Sequence, residues 1–166
     1  MNIEKNRVLV EPLDLSPCGS ILVALHFQDR HLVRIELGVN TAGAPSHTSE
    51  QHTIWLKKLL CGMALEKFPL PFKLMGTPFQ KRIWHTAMRI GHGQTCTYAD
   101  LAKAAGCGSP RAVGQALKRN PLPIIVPCHR VVGKGGRLTG FSAGLHIKKI
   151  LLEYERIVRD ENSNNE

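Results

Sequence analysis

The chain has 166 residues, of which 43% are hydrophobic and 21% charged. This composition and length are sufficient to bury a core, as one domain or two small ones. No apolar stretch approaches the roughly 18 to 20 residues of a membrane span, and no cationic start leads into an apolar run. We therefore expect a cytoplasmic protein that does not interact with membranes.

The formal net charge of +9 is distributed unevenly along the chain. Residues 1–75 contain eight Lys or Arg and seven acidic residues, whereas residues 81–149 contain twelve basic residues and one acid, Asp100. A solvated surface usually mixes both signs, while clustered positive charge is typical of proteins that bind a polyanion. The second half of the chain therefore predicts contact with nucleic acid.

The first predicted elements are two strands and a helix. Apolar residues alternate with others over Ile21–Phe27 and again over Val33–Leu37, which predicts a β-hairpin. A polar stretch, Asn40–Ser49, follows. Apolar residues then recur at helical spacing between Ile54 and Leu60, and Gly62 is expected to end that helix.

A proline-containing run, Phe68–Phe72, leads into the basic half, and we place a domain boundary near residue 75. Residues 1–75 would form an N-terminal α/β domain. Residues 76–166 would form a C-terminal domain that contains the basic residues and binds nucleic acid.

Three helix starts follow the boundary, each at a capping residue. Thr77 forms a capping-box pattern with Gln80 and begins a helix expected to end near Gly91. Thr97 begins a short helix to Ala105, and Ser109 begins another through Arg119, with a tight turn at Gly106 between them. The last two helices predict a helix-turn-helix.

The second helix of that motif would direct Arg111, Ala112 and Gly114 towards DNA. Two packed helices without a ligand are the alternative for so short a pattern. The surrounding positive charge favours the DNA-binding interpretation.

The last part of the chain contains an apolar run, Ile124–Val126, which predicts a short buried strand or extended segment. Pro127–Arg130 and a glycine-rich loop, Gly133–Gly136, come next. The final helix is predicted over Leu145–Val158, with a frayed tail at 160–166; its expected core residues are Leu145, Leu152 and either Ile150 or Leu151.

These elements predict a fold of the α/β (α+β) class. A small N-terminal sheet-and-helix domain would precede a mainly helical C-terminal domain with a helix-turn-helix, similar to a winged helix.

Five cysteines at irregular spacings argue against a disulfide framework and favour reduced thiols. The Cys and His residues also lack the close spacing of zinc ligands, so we expect no metal. Cys128 precedes His129, and a thiol becomes nucleophilic when a base removes its proton. The dipeptide alone is weak evidence, because buried structural cysteine is more common.

Six blocks together resemble the O6-alkylguanine-DNA alkyltransferases, also called methylated-DNA–protein-cysteine methyltransferases. Their order and spacing match this family over about residues 76–158, whereas the N-terminal half resembles it loosely. The blocks are Thr77–Trp84, Thr97–Ala102, Arg111–Gly114, Asn120–Pro121, Ile125–Val132 and Gly140–Leu145.

The resemblance implies catalytic roles for five residues. Cys128 would accept the alkyl group, His129 would act as its base through a water molecule, and Glu155 would hold the imidazole. Asn120 would fix the active-site segment against the recognition helix. Tyr98 would donate a proton or hydrogen bond to guanine N3.

The resemblance also implies substrate contacts. The main-chain N–H of Ser142 would contact the guanine oxygen, and the carbonyls of Cys128 and Val131 would recognise its exocyclic amine. Arg111 would fill the gap left by the flipped nucleotide. Phe141, where some members have tyrosine, would leave an apolar wall for the alkyl group.

Small residues such as Ala112 and Gly114 would allow the recognition helix to approach the minor groove closely. The implied substrate is double-stranded DNA with O6-alkylguanine, and O4-alkylthymine is an open alternative. The implied reaction is irreversible, needs no cofactor and consumes one protein molecule per lesion. A monomer is expected, and cooperative binding to DNA stays open.

Two other functions are compatible with parts of the pattern. A non-enzymatic module could flip the lesion and recruit other factors, but such relatives lack the acceptor cysteine. A helix-turn-helix regulator with a redox-sensing thiol would bind a specific duplex sequence and ignore the lesion.

Overall fold

The computed structural model describes residues 6–38 and 52–164. Its first element is an antiparallel sheet in the order β1-β2-β3. The hairpin of β2 and β3 is confirmed, while β1 was not predicted and pairs with β2 along its whole length. The predicted polar stretch Asn40–Ser49 lies outside the described residues. The strands are β1 (Asn6–Asp14), β2 (Ser20–Gln28) and β3 (His31–Leu37).

Helix α1 (Thr53–Leu60) packs on this sheet and confirms the predicted helix. Its N-terminus is capped from a distance, since the buried carboxylate of Glu11 on β1 accepts hydrogen bonds from the N–H groups of His52 and Thr53, at 3.1 and 3.0 Å. These donors have no partner within the helix itself. The bond therefore fixes α1 against β1.

Helices α2 (Pro78–Ala87), α3 (Tyr98–Ala104) and α4 (Pro110–Lys118) form the centre of the second half. The capping box at Thr77 is confirmed. Gly106, with φ +62°, lies in the turn between α3 and α4, as the predicted helix-turn-helix requires. Trp84 on α2 is fully buried and donates its indole N–H to the Ala116 carbonyl of α4 at 2.9 Å.

Helix α2 ends at Ala87 rather than near Gly91. The reason is a change in hydrogen bonding: the N–H groups of Arg89 and Ile90 bond to carbonyls three residues back, those of Thr86 and Ala87. This tighter pattern ends the α-helix.

The burial predicted for Ile124–Val126 is confirmed, but the prediction of a strand or extended segment is wrong. Ile124 has φ +75°, and the N–H of Val126 bonds to the Leu122 carbonyl at 2.8 Å, so the run forms a turn. The carboxamide oxygen of Asn120 accepts the Leu122 N–H at 2.9 Å and stabilises it. This turn leads directly into Pro127 and Cys128.

Two short parallel strands, β4 (Cys96–Thr97) and β5 (Val131–Val132), join the start of α3 to the segment after Cys128. The last helix, α5 (Leu145–Ser163), is longer than predicted. The helix continues through the predicted frayed tail as far as Ser163. It is stabilised there because Arg156 pairs with Asp160 and the Ser163 hydroxyl donates to the Arg159 carbonyl.

The predicted core face of α5 is partly wrong. Leu145 is 46% exposed and Leu152 is half-buried, whereas Leu151 is fully buried as expected. The buried stripe consists of Ile147, Lys148, Leu151, Tyr154 and Glu155. Lys148 and Glu155 are charged but buried, so the pattern of apolar residues alone indicated the wrong face of the helix.

The buried apolar residues form two clusters. One lies within the second half, between α2, α3 and α4. The other joins the N-terminal sheet and α1 to Leu122, Ile124, Ile125, Ile147, Leu151 and Tyr154. Within the described residues, no helix is sufficiently long and apolar to cross a membrane. The boundary near residue 75 stays a prediction.

The shared cluster predicts how a fragment of residues 76–166 would behave. Removing residues 1–75 exposes six apolar side chains, and burial of each contributes about 1.5 to 3 kcal/mol. The sum is comparable with the whole stability of a typical domain. We expect the fragment to lack a cooperative urea transition, measured by tryptophan fluorescence. A fragment that unfolds at the midpoint of the full chain would contradict this and support independent domains.

Candidate active site

A cavity of about 510 Å³ lies between the helix-turn-helix and the loop before α5. Helix α4 forms one wall, Tyr98 and the 139–142 loop form the other, and Cys128 lies among the lining residues. The lining consists of Tyr98, Pro110, Arg111, Gly114, Gln115, Leu117, Lys118, Cys128, Thr139, Gly140, Phe141 and Ser142.

Cys128 begins a 3-10 turn, Cys128–Arg130, and its side chain is almost fully buried, with 6% exposure. The carboxamide of Asn120 donates to the Cys128 sulfur at 3.2 Å and to the Val126 carbonyl at 3.0 Å. Asn120 lies two residues after the end of α4. One side chain therefore links the thiol, the turn before it and the end of α4.

His129 is fully buried beside Cys128 and bonds to Glu155 on α5, with 2.9 Å between Nε2 and Oε1. An ionised carboxylate can only accept, so Nε2 carries the proton and Nδ1 keeps its lone pair. This Nδ1 is buried and has no hydrogen-bond partner among the described protein atoms. His129 is therefore held in the tautomer that can accept a proton.

Glu155 also accepts from Arg130 and from the main-chain N–H of Gly93. The Arg130 guanidinium makes bonds of 2.8 to 3.1 Å to both carboxylate oxygens and donates to the Ile90 carbonyl at 2.6 Å. The cluster consequently joins α5, the Cys128 turn and the 90–93 loop. A buried carboxylate needs such partners to stay ionised.

The pKa values of this cluster follow from burial and charge. Burial raises the pKa of the Cys128 thiol, although the Asn120 bond and the Lys148 charge oppose it. Burial lowers the pKa of His129 against the effect of Glu155. Burial alone would raise the pKa of Glu155, but the hydrogen bonds from His129 and Arg130 and the charge of Arg130 outweigh it and lower the value to about 2. At neutral pH the thiol and the imidazole are therefore uncharged.

Lys148 lies fully buried behind the loop wall. Its ammonium donates to the carbonyls of Val131 and Thr139 at 2.6 and 2.8 Å, and to that of Gly140 at 3.5 Å. Three carbonyls match the three donors of an ammonium group. The loop and β5 are thereby fixed to α5.

The Tyr98 hydroxyl lies 3.2 Å from two of the same carbonyls, those of Thr139 and Gly140. Burial raises the pKa of Tyr98, while the bond to Thr139 partly opposes this effect. Tyr98 therefore keeps its phenolic proton at neutral pH and can donate it.

The residues predicted to contact DNA lie on α4 or on the loop. Arg111 is exposed at the cavity edge, and Gly114 faces Tyr98, whose ring carbons would lie 3.7 and 3.8 Å from an added Cβ. Phe141 and Ser142 line the opposite wall. Ala112 is half-buried on α4 outside the lining, and Val131 is buried behind it, with its carbonyl bound by Lys148.

The structure thus brings Cys128, His129, Glu155 and Asn120 into one connected group, with Tyr98 across the cavity. Sequence reasoning missed Lys148 and the role of Arg130. A signal for both existed: Lys148 and Glu155 lie seven residues apart on the buried face of α5, and Arg130 belongs to the same block as Cys128. In the described part of the chain, no three Cys, His, Asp or Glu side chains form a metal-binding group.

The fold and the site define a class: a helix-turn-helix protein whose second helix borders a buried, hydrogen-bonded thiol. The family model for the 6-O-methylguanine DNA methyltransferase, DNA binding domain, matches residues 78–157. The methylated-DNA–protein-cysteine methyltransferase of Mycobacterium leprae is 38% identical over 149 residues, 89% of this chain and 87% of that protein. The constitutive enzyme of Bacillus subtilis is 52% identical over 92 residues, 54% of this chain and 56% of that protein.

Solved structures agree over a greater length. Mycobacterium tuberculosis OGT in complex with DNA has a TM-score of 0.65 at 32% identity, covering 90% of this chain and 93% of that one. The O6-methylguanine-DNA methyltransferase of Pyrococcus kodakaraensis has a TM-score of 0.73 at 31% identity, covering 90% and 99%. The chain belongs to the methylated-DNA–protein-cysteine methyltransferase family.

The Glu155 cluster predicts a loss of stability in acid. The pKa of the Glu155 carboxyl in the folded protein is about 2, below its ordinary value of 4.5. The stabilisation is therefore complete above about pH 4.5 and is lost as the pH falls towards 2, up to about 3 kcal/mol. We expect urea unfolding of the native chain to show this loss of stability between pH 6 and 3. The variant Glu155→Gln should lack this loss and should be less stable than the native chain at pH 6.

The matched control is Glu153→Gln, which removes an exposed carboxylate from the same helix. Exposed ion pairs contribute little, so this variant should keep the native acid dependence. An identical acid dependence in the native chain and in Glu155→Gln would contradict the assignment.

Proposed function

We propose that the protein repairs DNA by moving an alkyl group from guanine O6 to the sulfur of Cys128. The observation that carries this proposal is the position of the thiol: Cys128 lines a cavity bordered by α4 and is bonded to Asn120, in a chain of the methyltransferase family. The substrate is double-stranded DNA containing O6-alkylguanine, and methyl is the smallest group transferred.

The reaction begins with proton removal from Cys128. Because the thiol is neutral at rest, it must lose its proton as the substrate arrives, and the lone pair of His129 Nδ1 accepts it through a bridging water. Glu155 stabilises the imidazolium that results. A base held in this tautomer and close to a thiol is the usual means of activating a weak nucleophile.

Alkyl transfer then forms a carbon–sulfur bond and breaks the bond between carbon and guanine O6. The electron pair remains on guanine, and Tyr98 donates its proton to N3, so that a neutral base leaves. His129 afterwards gives its proton to solvent, and Tyr98 regains one. The product is a thioether, which has no simple route back to the thiol, so each protein molecule acts once without a cofactor.

The cavity walls support recognition of a flipped base. The N–H of Ser142 contacts the guanine oxygen, while the carbonyl of Cys128 accepts from the exocyclic amine. The Val131 carbonyl lies behind the lining and already accepts from Lys148, so a contact to the amine would have to use its second lone pair. Phe141 provides an apolar surface for the alkyl group. Flipping costs a few kcal/mol, less for a weakly paired damaged base, which favours the lesion.

Helix α4 supports docking in the minor groove. Arg111 at the cavity edge fills the space left in the base stack, and the small residues Ala112 and Gly114 let the backbone approach DNA closely. The protein acts in the cytoplasm and as a monomer, and these two assignments are part of the proposal.

The decisive experiment is incubation with a duplex containing O6-methylguanine, followed by intact mass measurement and peptide mapping. We expect a gain of one methylene on Cys128 and loss of the lesion. Cys128→Ser should gain nothing, whereas Cys107→Ser, which removes a half-buried thiol in the turn between α3 and α4, should react normally.

Two outcomes would favour other functions. Tight binding of the lesion without alkyl transfer would indicate a non-enzymatic lesion-binding module. Binding to one duplex sequence regardless of the lesion, seen by competition, would indicate a transcription regulator.

The role of Tyr98 is tested by Tyr98→Phe. Removing the hydroxyl takes away the proton donor, so we expect single-turnover transfer to slow by about a hundredfold. Binding of the lesion duplex should change little, as measured by fluorescence anisotropy. The other tyrosine of the chain provides the control: Tyr154→Phe, in the shared core, should transfer at the native rate. Equal rates for both variants would exclude Tyr98 as the donor.

A further inference from the structure

A second groove, of about 410 Å³, adjoins the active-site cavity, and Lys118 and Ser142 line both. Its walls come from β3, from the end of α4 with the turn that follows, and from the loop before α5. The N-terminal sheet therefore reaches the edge of the catalytic cavity. The lining consists of Arg34, Ile35, Glu36, Leu37, Lys118, Arg119, Asn120, Pro121, Pro123, Ser142 and Ala143.

Three basic side chains, Arg34, Lys118 and Arg119, converge on this groove. Lys118 and Arg119 are exposed, and neither has an acidic side chain within ion-pair distance in the described parts of the chain. The lining includes one acid, Glu36, which pairs with Arg34 at 2.6 Å. The groove carries net positive charge.

Arg34 is held over the groove by its neighbours on the sheet. Glu36 lies two residues further along β3, so both side chains point to the same face. The ion pair uses part of the guanidinium, which has five donors, and the side chain is 62% exposed. His26 on β2 also approaches Glu36, at 3.4 Å.

The main chain fixes β3 relative to α4. The N–H of Ile35 donates to the Pro121 carbonyl at 2.8 Å, across the junction between the sheet and the turn after α4. Arg34 precedes Ile35, and Arg119 lies two residues before Pro121. The three basic groups therefore keep a defined arrangement beside the cavity.

We propose that this groove binds a phosphodiester of the DNA strand next to the flipped nucleotide, and that Arg34 is a DNA-binding residue. The inference rests on the proposed function. Because Lys118 and Ser142 line both the cavity and the groove, the backbone of a strand whose base enters the cavity can continue past them into the groove. Arginine forks and lysine ammonium groups are the usual partners of phosphate oxygens.

The test measures the salt dependence of binding to a duplex with O6-methylguanine. A Cys128→Ser background keeps the complex from reacting. Loss of one phosphate contact lowers the slope of log K against log salt by about 0.9, and weakens binding by up to about eightfold at about 0.1 M salt. We expect this for Arg34→Gln. The matched control, Arg7→Gln, removes the same charge from β1 at the opposite edge of the sheet and should change neither quantity.

Glu36→Gln separates a phosphate contact from a structural role. Removing the negative charge beside the phosphate should tighten binding, opposite in sign to Arg34→Gln. If the ion pair only stabilised the sheet, both variants would weaken binding. That result, or an unchanged salt slope in Arg34→Gln, would overturn the proposal. An unchanged slope would favour binding of an acidic protein surface in the groove.

A separate measurement distinguishes this inference from the proposed function. With Cys128 intact, Arg34→Gln should transfer methyl from free O6-methylguanine base at the native rate, because the free base has no phosphate. With subsaturating lesion duplex it should react more slowly than the native chain. A native chain that accepts no methyl group would refute the function, whereas equal rates on duplex DNA would refute only the role of Arg34.

Discussion

The buried carboxylate of Glu155 is the interaction on which the site depends. It accepts from His129, from Arg130 and from the main chain of Gly93, so three segments distant in sequence meet at one charge. Removing Arg130 would leave the ionised carboxylate of Glu155 without a compensating charge in a buried site, which is strongly unfavourable. The same bond that positions α5 also sets the tautomer of His129. Stability and proton transfer are therefore coupled in this cluster, and neither can change without the other.

In this arrangement the Cys128 thiol and the His129 imidazole are uncharged before a substrate binds. Many reactive cysteines are thiolates stabilised by nearby positive charge. Cys128 is instead buried, with a raised pKa, and its sulfur accepts a bond from the uncharged carboxamide of Asn120. A thiol of this kind is poorly nucleophilic until a substrate fills the cavity and a proton can move to His129. For an acceptor that is consumed after one reaction, low reactivity towards other alkylating agents would preserve it for DNA.

Local patterns predicted much of the fold because they reflect local physics. The capping box at Thr77, the turn at Gly106 and the alternation of β2 and β3 depend on neighbouring residues, and all three are confirmed. Two features that the sequence did not reveal depend on distant partners. The cap of α1 comes from Glu11, forty-two residues before Thr53, and the burial of Lys148 requires carbonyls from β5 and the loop. Cys128 and His129 were found through their sequence block, whereas the bond of His129 to Glu155 needed the structure to place α5 against it.

The two halves of the chain share one apolar core, and the N-terminal sheet also lines the groove beside the cavity. Residues of the second half, Ile124 and Leu151 among them, complete the core under the sheet. The same packing places β3 against the turn after α4, through the bond between Ile35 and Pro121. Asn120 lies in that turn and bonds to the Cys128 sulfur. The contact between sheet and turn therefore connects the groove, where we propose that a DNA phosphate binds, with the segment that holds the thiol.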